Sequence, residues 1–336
     1  MKTYRYCDAP LEVHGLPFFL ENGILERVPA HVREKVPSLA FLGRRCPGAR
    51  ICFRTDSPTI TLNMTFETLS PDIGMSIYAC QAANVMIGER KAVRFAGLLC
   101  PPDYGTKTAE KIFQKSAEME EVTVWLPRNE IIADFTVAVE DGAAVEAPTP
   151  YRYPPMLYYG SSITEGGCCN RVTNAYNALI CQHLDADYYN YGFSGSAKGE
   201  TAMAELIKNI PMSIFVYDYD HNAPNAEHLA ATHEPFFRKI RENNPDLPVI
   251  MLTKPDFDYD PDAAKRRDII RTTYENAVRD GDKNVWFIDG RSFFGETDRH
   301  ACTCDCCHPN DLGFYRMAEV IEPVVKTILE KRYPGR

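Results

Sequence analysis

The second half of the chain alternates short apolar segments with longer segments of helical periodicity. The apolar segments are rich in β-branched and aromatic residues and too short for helices, which is typical of strands buried on both faces. They cover residues 156–160, 187–192, 213–218, 248–253 and 284–289, and the helical segments cover 174–184, 200–209, 226–243, 262–279 and 311–331. This alternation predicts an α/β fold with a doubly wound, five-stranded parallel sheet.

The first half of the chain has the pattern of an all-β domain. Several of its short segments alternate apolar with polar residues, and turn-forming residues such as Ser70-Pro71-Asp72 separate them. The predicted strands cover residues 49–56, 59–66, 75–80, 122–127 and 131–139. We expect an antiparallel β-sandwich of jelly-roll type.

A group of prolines separates the two patterns. Successive prolines disfavour both helix and central strand, and they stand here at Pro148, Pro150, Pro154 and Pro155. A chain of 336 residues is also long for a single core. We therefore expect two domains, covering residues 1–150 and 151–336.

Charge and hydropathy exclude several classes of partner. The formal net charge is −9 and the lysines and arginines are scattered among acids, which argues against binding of nucleic acid. The sequence shows neither a membrane-spanning apolar run nor a signal-peptide pattern, so we expect no membrane partner and a cytoplasmic location. Twelve irregularly spaced cysteines then indicate reduced thiols. The sequence leaves open whether the chain forms a homo-oligomer.

The loops after the predicted strands are where a ligand is expected. In doubly wound sheets ligands bind at the carboxyl ends of the strands. The first such loop, residues 160–167, has the sequence GSSITEGG. Its glycines would expose the side chain of Ser162 and present its backbone N–H to an oxyanion. A turn with a helix cap is the alternative for this loop taken alone.

Two further loops carry groups that could stabilise an oxyanion. Gly195 lies in a glycine-rich loop whose backbone amides could approach a ligand closely. Asn222 follows the third apolar segment, and its side-chain amide is a hydrogen-bond donor. A simple turn and a structural Asx-turn remain the alternatives for these two loops.

Asp305 and His308 precede the last helix. An aspartate three residues before a histidine can orient the imidazole through Nδ1–H, which leaves Nε2 to take a proton from a serine. Both residues lie between the last strand and the last helix, and therefore at the same edge as Ser162. We also expect Asp311 to cap that helix.

Together the four loops resemble the SGNH hydrolases, the GDSL-like esterase superfamily. GSSIT is similar to the GDSIT form of the first block, with Ser162 at the position of the nucleophile, and Gly195 and Asn222 match the second and third blocks. Asp-x-x-His followed by Pro, at Asp305 and His308, matches the fourth. The resemblance covers roughly residues 155–336 and implies a flavodoxin-like domain.

Two departures from the family pattern are visible. The third block commonly has the form Gly-x-Asn-Asp, whereas this chain has Asp220-His221-Asn222-Ala223, so Asn225 competes with Asn222 for the role. The residue before Ser162 is Ser161, where the family has an aspartate.

The resemblance implies a serine esterase that needs neither a metal nor an organic cofactor. Ser162, His308 and Asp305 would form the triad, and the oxyanion would be held by the N–H groups of Ser162 and Gly195 and by the amide of Asn222. A preceding β-sandwich also resembles the layout of carbohydrate esterases that remove acetyl groups, which implies an oligosaccharide or small-molecule ester as substrate. Loop position alone suggests the following substrate-binding residues: Glu165, Asn170, Arg171, Tyr219, Asp256 and Phe257.

Other functions compete with this interpretation. A thioesterase or an acyltransferase acting on a non-carbohydrate acyl group is open within the family, and a non-catalytic carbohydrate-binding protein is open outside it. A zinc-dependent hydrolase is the third alternative. Its ligands would come from the Cys/His/Asp cluster between Cys302 and His308, which includes Asp305, and from Cys168-Cys169, although their spacing is poor for zinc. We further expect His221 to form a wall of the site, His233 to be at the surface, and Trp125 and Trp286 to lie in the core.

Overall fold

A computed structural model of the protein describes residues 1–72, 74–255 and 257–336, with the side chains of Lys91 and Phe257 left out. The chain forms two compact units. The first unit contains Met1–Arg27, Arg44–Arg152 and Asn170–Thr173, and the second contains Val28–Gly43, Tyr153–Cys169 and Asn174–Arg336. The chain thus passes from the first unit to the second between Arg152 and Tyr153, close to the prolines, while two short segments lie with the other unit.

The regular elements are numbered here in chain order. The strands are β1 Lys2–Arg5, β2 Glu12–His14, β3 Arg50–Thr55, β4 Thr59–Phe66, β5 Ala83–Ile87, β6 Arg94–Leu99, β7 Thr108–Gln114, β8 Glu120–Trp125, β9 Ile132–Val139, β10 Val145–Glu146, β11 Tyr153–Gly160, β12 Ala186–Gly192, β13 Phe215–Asp218, β14 Val249–Leu252 and β15 Val285–Ile288. The α-helices of the described residues are α1 Phe19–Asn22, α2 Ala30–Arg33, α3 Ile77–Cys80, α4 Ser162–Glu165, α5 Tyr176–Leu184, α6 Thr201–Ile207, α7 Ala226–Asn243, α8 Ala263–Arg279 and α9 Asp311–Arg332.

The first unit consists of two antiparallel sheets that share one apolar core. One sheet has the strand order β1-β9-β4-β7, and the other has the order β10-β3-β8-β5-β6 with β2 paired to β3. Alternate residues of β4 are buried, because successive side chains of a strand point to opposite faces. The core takes side chains from both sheets, including Leu62, Phe135, Phe53 and Val124. The predicted antiparallel β-sandwich is confirmed.

One predicted strand of the first unit is wrong. Residues 75–80 have the apolar composition of a strand, but Ile77–Cys80 form helix α3. The hydroxyl oxygen of Ser76 accepts a hydrogen bond from the backbone N–H of Ala79, so Ser76 caps the helix. The neighbouring strand, β5, begins only at Ala83. Local capping therefore outweighs β-propensity in this segment.

The second unit contains a parallel sheet with the order β12-β11-β13-β14-β15. This is the flavodoxin-like order, and helices follow the strands as the alternating pattern predicts. All four residues of both β13 and β14 are buried, which explains their uninterrupted apolar sequences. The predicted α/β class and the five-stranded parallel sheet are confirmed.

Several single residues differ from expectation in their burial. Trp125 is buried as predicted, whereas Trp286 in β15 is only partly buried. His233 is buried in α7 and is not a surface residue; burial lowers the pKa of its imidazole to about 3.

None of the described helices combines the length and apolar character that a membrane span requires. Every cysteine of the chain is a thiol.

Two glycines at the ends of neighbouring strands allow a close backbone approach. A Cβ atom on Gly160 would lie 2.1 Å from the carbonyl oxygen of Asp218, and one on Gly192 would lie 2.1 Å from the backbone nitrogen of Glu165. Because both neighbours are backbone atoms, they cannot move aside as a flexible side chain could. Glycine at these positions therefore lets the loop after β11 pack directly on the neighbouring strand ends.

This packing predicts that Gly192→Ala destabilises the fold strongly. Overpacking against backbone should lower the free energy of unfolding by about 3 kcal/mol, the upper end of the usual range. Gly74, whose Cβ would meet open space, is the control, and Gly74→Ala should change that free energy by less than about 0.5 kcal/mol. Urea unfolding followed by circular dichroism measures both, and equal stabilities would refute the packing argument.

Candidate active site

The loop after β11 places Ser162 at the start of a short helix. β11 ends at Gly160, and the hydroxyl oxygen of Ser161 accepts a hydrogen bond from the backbone N–H of Ile163 at 3.2 Å, so Ser161 is the N-cap of α4. Ser162 is the first residue of α4 and is 7 % exposed. Ser161 thus serves as a cap where the family pattern has an aspartate, and Ser162 follows it at the carboxyl end of the strand.

A tight loop before α9 carries Asp305 and His308. Thr303 and Pro309 form an isolated antiparallel bridge that closes the loop. Inside it, Asp305 Oδ1 accepts hydrogen bonds from the backbone N–H groups of Cys307 at 3.1 Å and His308 at 2.7 Å. The aspartate therefore shapes the loop with one oxygen while the other remains for the imidazole.

The cap of α9 differs from the prediction. Asn310 is the N-cap, and its side-chain oxygen accepts a hydrogen bond from the backbone N–H of Gly313 at 3.1 Å. Asp311 is the first helical residue, and its Oδ2 accepts from the amide of Asn174 at 3.0 Å. The prediction that Asp311 caps α9 was wrong: the cap is the preceding residue, Asn310. Asparagine and aspartate are equally good N-caps, so residue type alone does not distinguish the two positions.

Ser162, His308 and Asp305 form one hydrogen-bonded series. Ser162 Oγ lies 2.8 Å from Nε2 of His308, and Nδ1 of the same ring lies 2.8 Å from Oδ2 of Asp305. Partial burial raises the pKa of Asp305, but the hydrogen bonds from the backbone and ring of His308 and from the backbone of Cys307 outweigh it, so the net pKa is lowered. An ionised Asp305 favours the tautomer with its proton on Nδ1, which leaves Nε2 as an acceptor.

The loop after β12 is held from two sides. Glu165, at the end of α4, accepts hydrogen bonds from the backbone N–H and the hydroxyl of Ser194 at 3.2 Å and 2.5 Å. The side-chain amide of Asn222 donates to the carbonyl oxygen of Phe193 at 2.8 Å. Gly195 follows directly, with φ of +64°, which is a left-handed conformation that favours glycine. The backbone around Gly195 is therefore fixed by groups from the first and third loops.

The geometry favours Asn222 over Asn225 as a site residue. An amide nitrogen carries two hydrogens, so Asn222 has a second N–H besides the one it donates to Phe193. Asn225 is the N-cap of α7, and its side-chain oxygen accepts a hydrogen bond from the backbone N–H of His228 at 2.8 Å. Asn225 thus has a structural role at the start of a helix.

The buried side chain of Asp218 supports α4 through a hydrogen bond with Thr164. Asp218 Oδ2 accepts hydrogen bonds from the hydroxyls of Thr164 at 3.0 Å and Tyr176 at 3.3 Å. Burial, with a smaller contribution from Asp220, raises the pKa of Asp218 well above its usual value. The environment therefore favours a neutral carboxyl group behind the nucleophile loop.

His221 lies beside the loop that carries His308. Its Nε2 is 2.7 Å from the sulfur of Cys307, and its ring makes an edge-on contact with the ring of His308 at a centroid distance of 6.4 Å. Burial, together with the positive charges of Lys254 and His308, lowers the pKa of His221 to about 3. Sequence reasoning assigned His221 to the wall of the site but did not identify its contact with Cys307, because 86 residues separate the two.

The suggested substrate-binding residues differ in burial and in location. Glu165 is 2 % exposed and bound to Ser194, and Tyr219 is 1 % exposed with its hydroxyl 2.6 Å from that of Thr232, so burial argues against substrate contact for both. Asn170 is exposed and Arg171 places its guanidinium over the ring of Phe95; both belong to the first unit. Asp256 and the side chain of Phe257 lie outside the described residues.

Family models match both halves of the chain. Residues 154–326 match the GDSL-like lipase/acylhydrolase family, and residues 4–145 match a model described as the N-terminus of SGNH-hydrolase-type esterases. The first match covers more than half of the chain, and the chain therefore belongs to the GDSL-like lipase/acylhydrolase family, as an ester hydrolase. A comparison with curated protein sequences gives no match.

Solved structures share the fold over most or all of the chain. A protein from Bacteroides ovatus described as a GDSL-like lipase is 25 % identical, with a TM-score of 0.87 and 98 % of each chain covered. A salicylyl-acyltransferase from a tetracycline biosynthetic pathway is 19 % identical, with a TM-score of 0.80 over 100 % of this chain and 99 % of that one. A family two carbohydrate esterase from Clostridium thermocellum is 13 % identical, with a TM-score of 0.63 over 84 % and 92 %.

The contact between Glu165 and Ser194 predicts a positioning role. Glu165→Ala should release the Ser194 loop and lower kcat for ester hydrolysis about 10- to 100-fold with little change in KM, because misplaced donors chiefly affect the transition state. Glu165→Gln keeps an oxygen that accepts from Ser194 and should restore most of kcat. Steady-state kinetics at matched folded fractions tests this; an equal loss in both variants would contradict it.

The environment of Asp218 predicts a pH-dependent gain in stability from Asp218→Asn. Because burial raises the folded-state pKa, the folded protein binds more protons than the unfolded chain, and wild-type stability falls as pH rises above the unfolded value of about 3.9. Asparagine keeps the oxygen that accepts from Thr164 and Tyr176 and does not ionise. Its melting temperature should exceed that of wild type by a few degrees at pH 8 and approach it at pH 4. A constant difference across this range would refute the argument.

Proposed function

We propose that the protein is a serine esterase that removes short acyl groups, above all acetyl groups from oligosaccharide esters, through an acyl-enzyme. The observation that carries the proposal is the continuous hydrogen-bonded series from Ser162 through His308 to Asp305. A serine hydroxyl becomes a nucleophile when a base accepts its proton, and a base in turn needs an orienting partner. Both requirements are met within 2.8 Å at each contact.

The first stage forms the acyl-enzyme. Ser162 Oγ attacks the carbonyl carbon of the ester while its proton passes to Nε2 of His308, and Asp305 stabilises the resulting imidazolium. The negative charge that develops on the carbonyl oxygen would be met by the N–H groups of Ser162 and Gly195 and by the second N–H of Asn222. When the tetrahedral intermediate collapses, the imidazolium gives its proton to the departing alcohol.

The second stage returns the enzyme to its starting state. A water molecule loses a proton to Nε2 of His308 and attacks the carbonyl carbon of the acyl-enzyme, and the same donors stabilise the second oxyanion. The bond to Ser162 Oγ then breaks, the proton on Nε2 passes to that oxygen, and the carboxylic acid is released. In both stages of the proposed reaction, His308 accepts and returns every proton that is transferred.

The substrate class rests on the likeness to carbohydrate esterases. The family two carbohydrate esterase shares this chain's fold at low sequence identity, and this likeness supports the choice of oligosaccharide esters without naming a sugar. The cytoplasmic location stays a prediction. If the protein is cytoplasmic, its substrates would be imported oligosaccharides. Detection of the protein in the medium of its native host would contradict a cytoplasmic location.

Acyl transfer to an alcohol is the second candidate. The observation that favours it is the likeness of the full chain to a salicylyl-acyltransferase. Hydrolysis and transfer share the first stage completely, because both pass through the same acyl-enzyme, and they differ only in whether water or an alcohol attacks it. The reaction products distinguish them.

Ser162→Ala tests the triad, and the adjacent Ser161 provides a matched control. Without Ser162 Oγ no acyl-enzyme can form, so kcat for hydrolysis of p-nitrophenyl acetate should fall by at least about 10⁴-fold. Ser161→Ala removes only a helix cap and should cost about 1 kcal/mol of stability while leaving activity within about tenfold of wild type. If Ser162→Ala is as active as wild type, the nucleophile has been placed wrongly.

A panel of substrates tests the acyl group and the acceptor. Acetylated xylo- and manno-oligosaccharides are compared with short-chain and long-chain p-nitrophenyl esters, with Ser162→Ala as the blank. Preference for long acyl chains would count against carbohydrate esters while leaving the triad intact. Mass spectrometry in the presence of added sugar alcohols then shows whether the acyl group appears in free acid or in a new ester.

A further inference from the structure

Four possible metal ligands, His308 among them, lie near Ser162. Asp305, Cys307 and His308 offer ligand atoms that all lie within 4.8 Å of one another. The fourth is His221, whose Nε2 lies 2.7 Å from the sulfur of Cys307. These side chains come from two loops of the second unit, the loop after β13 and the loop before α9. The set combines one thiol, two imidazoles and one carboxylate.

The set has the ligand chemistry that zinc requires. Zinc prefers four ligands drawn from cysteine sulfur, histidine nitrogen and carboxylate oxygen, in a tetrahedron whose ligand atoms are separated by about 3.3–3.6 Å. Cys307 and His221 are closer than this, and the group formed by Asp305, Cys307 and His308 extends to 4.8 Å. His221 contacts Cys307 but lies outside that group, so tetrahedral coordination requires its side chain to move toward Asp305 and His308.

We propose that His221, Asp305, Cys307 and His308 form a Zn²⁺ site whose occupation switches the esterase off. The inhibitory effect rests on the function proposed above, whereas the binding of the ion does not. On binding, the thiol of Cys307 releases its proton to solvent and the thiolate forms the Zn–S bond, with no change in oxidation state. The carboxylate and the imidazole nitrogens bind through lone pairs.

Zinc on either nitrogen of His308 would stop the reaction. At Nε2 the ion occupies the lone pair that must accept the proton of Ser162. At Nδ1 it replaces the proton shared with Asp305, and Nε2 must then carry the ring's remaining proton and can no longer serve as a base. Inhibition therefore follows from the identity of the ligand and does not depend on which nitrogen the ion takes.

The other cysteines of this region differ from Cys307 in their surroundings. Cys302 is buried, and a guanidinium nitrogen of Arg316 lies 3.4 Å from its sulfur, which disfavours a cation there. Cys304 and Cys306 are exposed, and the grouping that could hold a metal among the described residues contains neither. The sequence suggested a zinc site made chiefly of cysteines, whereas the grouping in the structure contains one of them, Cys307, which His221 contacts.

The experiment measures zinc binding and inhibition separately. Full-length protein is freed of metal with a chelator, kept reduced, and titrated with Zn²⁺ alone, with Co²⁺ in parallel because a cobalt–thiolate bond gives a charge-transfer absorption band. The variants are Cys307→Ser, the neighbouring Cys306→Ser as matched control, and Ser162→Ala, which binds without turning over. Each active variant is compared with its own rate in chelator.

The proposal expects one equivalent of tightly bound zinc in wild type, Cys306→Ser and Ser162→Ala, with the cobalt–thiolate band present in all three. Cys307→Ser should lose the band and bind zinc at least about 10- to 100-fold more weakly. Zinc should lower the rate of wild type and Cys306→Ser at least tenfold, reversibly with chelator. If no ester is hydrolysed by wild type, the binding results alone decide whether the site exists.

Two results would overturn the proposal. Equal zinc affinity and an unchanged cobalt band in Cys307→Ser would place the ion elsewhere. An enzyme that is inactive in chelator and gains activity with zinc would show that the ion serves the reaction and does not block it, and it would overturn the serine mechanism as well.

Discussion

The position of β11 inside the parallel sheet is the constraint on which the candidate site depends. β11 pairs with β12 on one side and with β13 on the other, and Gly160 at its end is in register with Gly192 and Asp218. The direction of the chain across the sheet reverses at this point, so the loops after the three strands emerge together. Strand order thus brings residues that are far apart in sequence to the same edge of the sheet. Their side chains then need only small local adjustments to form a site.

The loops are then fixed by contacts among themselves. Glu165 extends from the nucleophile's helix to Ser194, and Asn222 extends from the third loop to Phe193. The backbone of residues 193–194, next to the proposed oxyanion donor Gly195, is therefore oriented by both neighbours. Preorganised donors cost no rearrangement at the moment of reaction, which is the condition under which hydrogen bonds lower a barrier most.

Sequence reasoning succeeded where the determinants are periodic or local, and failed where they are long-range. The apolar strands and the helices of the second unit follow from periodicity, and Asp305 can shape the loop of His308 because only three residues separate them. The strand predicted at residues 75–80 is a helix because Ser76 caps it, a signal present in the sequence but weaker than the apolar pattern. Glu165 and Tyr219 were assigned to substrate from loop position, yet the direction of a side chain depends on packing partners that sequence spacing does not reveal.

Two aspartates of the second unit have pKa values shifted in opposite directions, because their burial and hydrogen bonds differ. Asp305 is about half exposed, receives hydrogen bonds from Cys307 and His308, and has a lowered pKa. In the proposed mechanism it would supply the negative charge that an imidazolium needs. Asp218 lies behind α4, where burial raises its pKa and favours the neutral acid. In the proposed reaction, a negative charge there would repel the oxyanion formed beside Ser162, since both charges lie in a medium of low dielectric constant. The neutral carboxyl group still accepts hydrogen bonds, so it supports α4 and would not oppose the charge that the proposed reaction must stabilise.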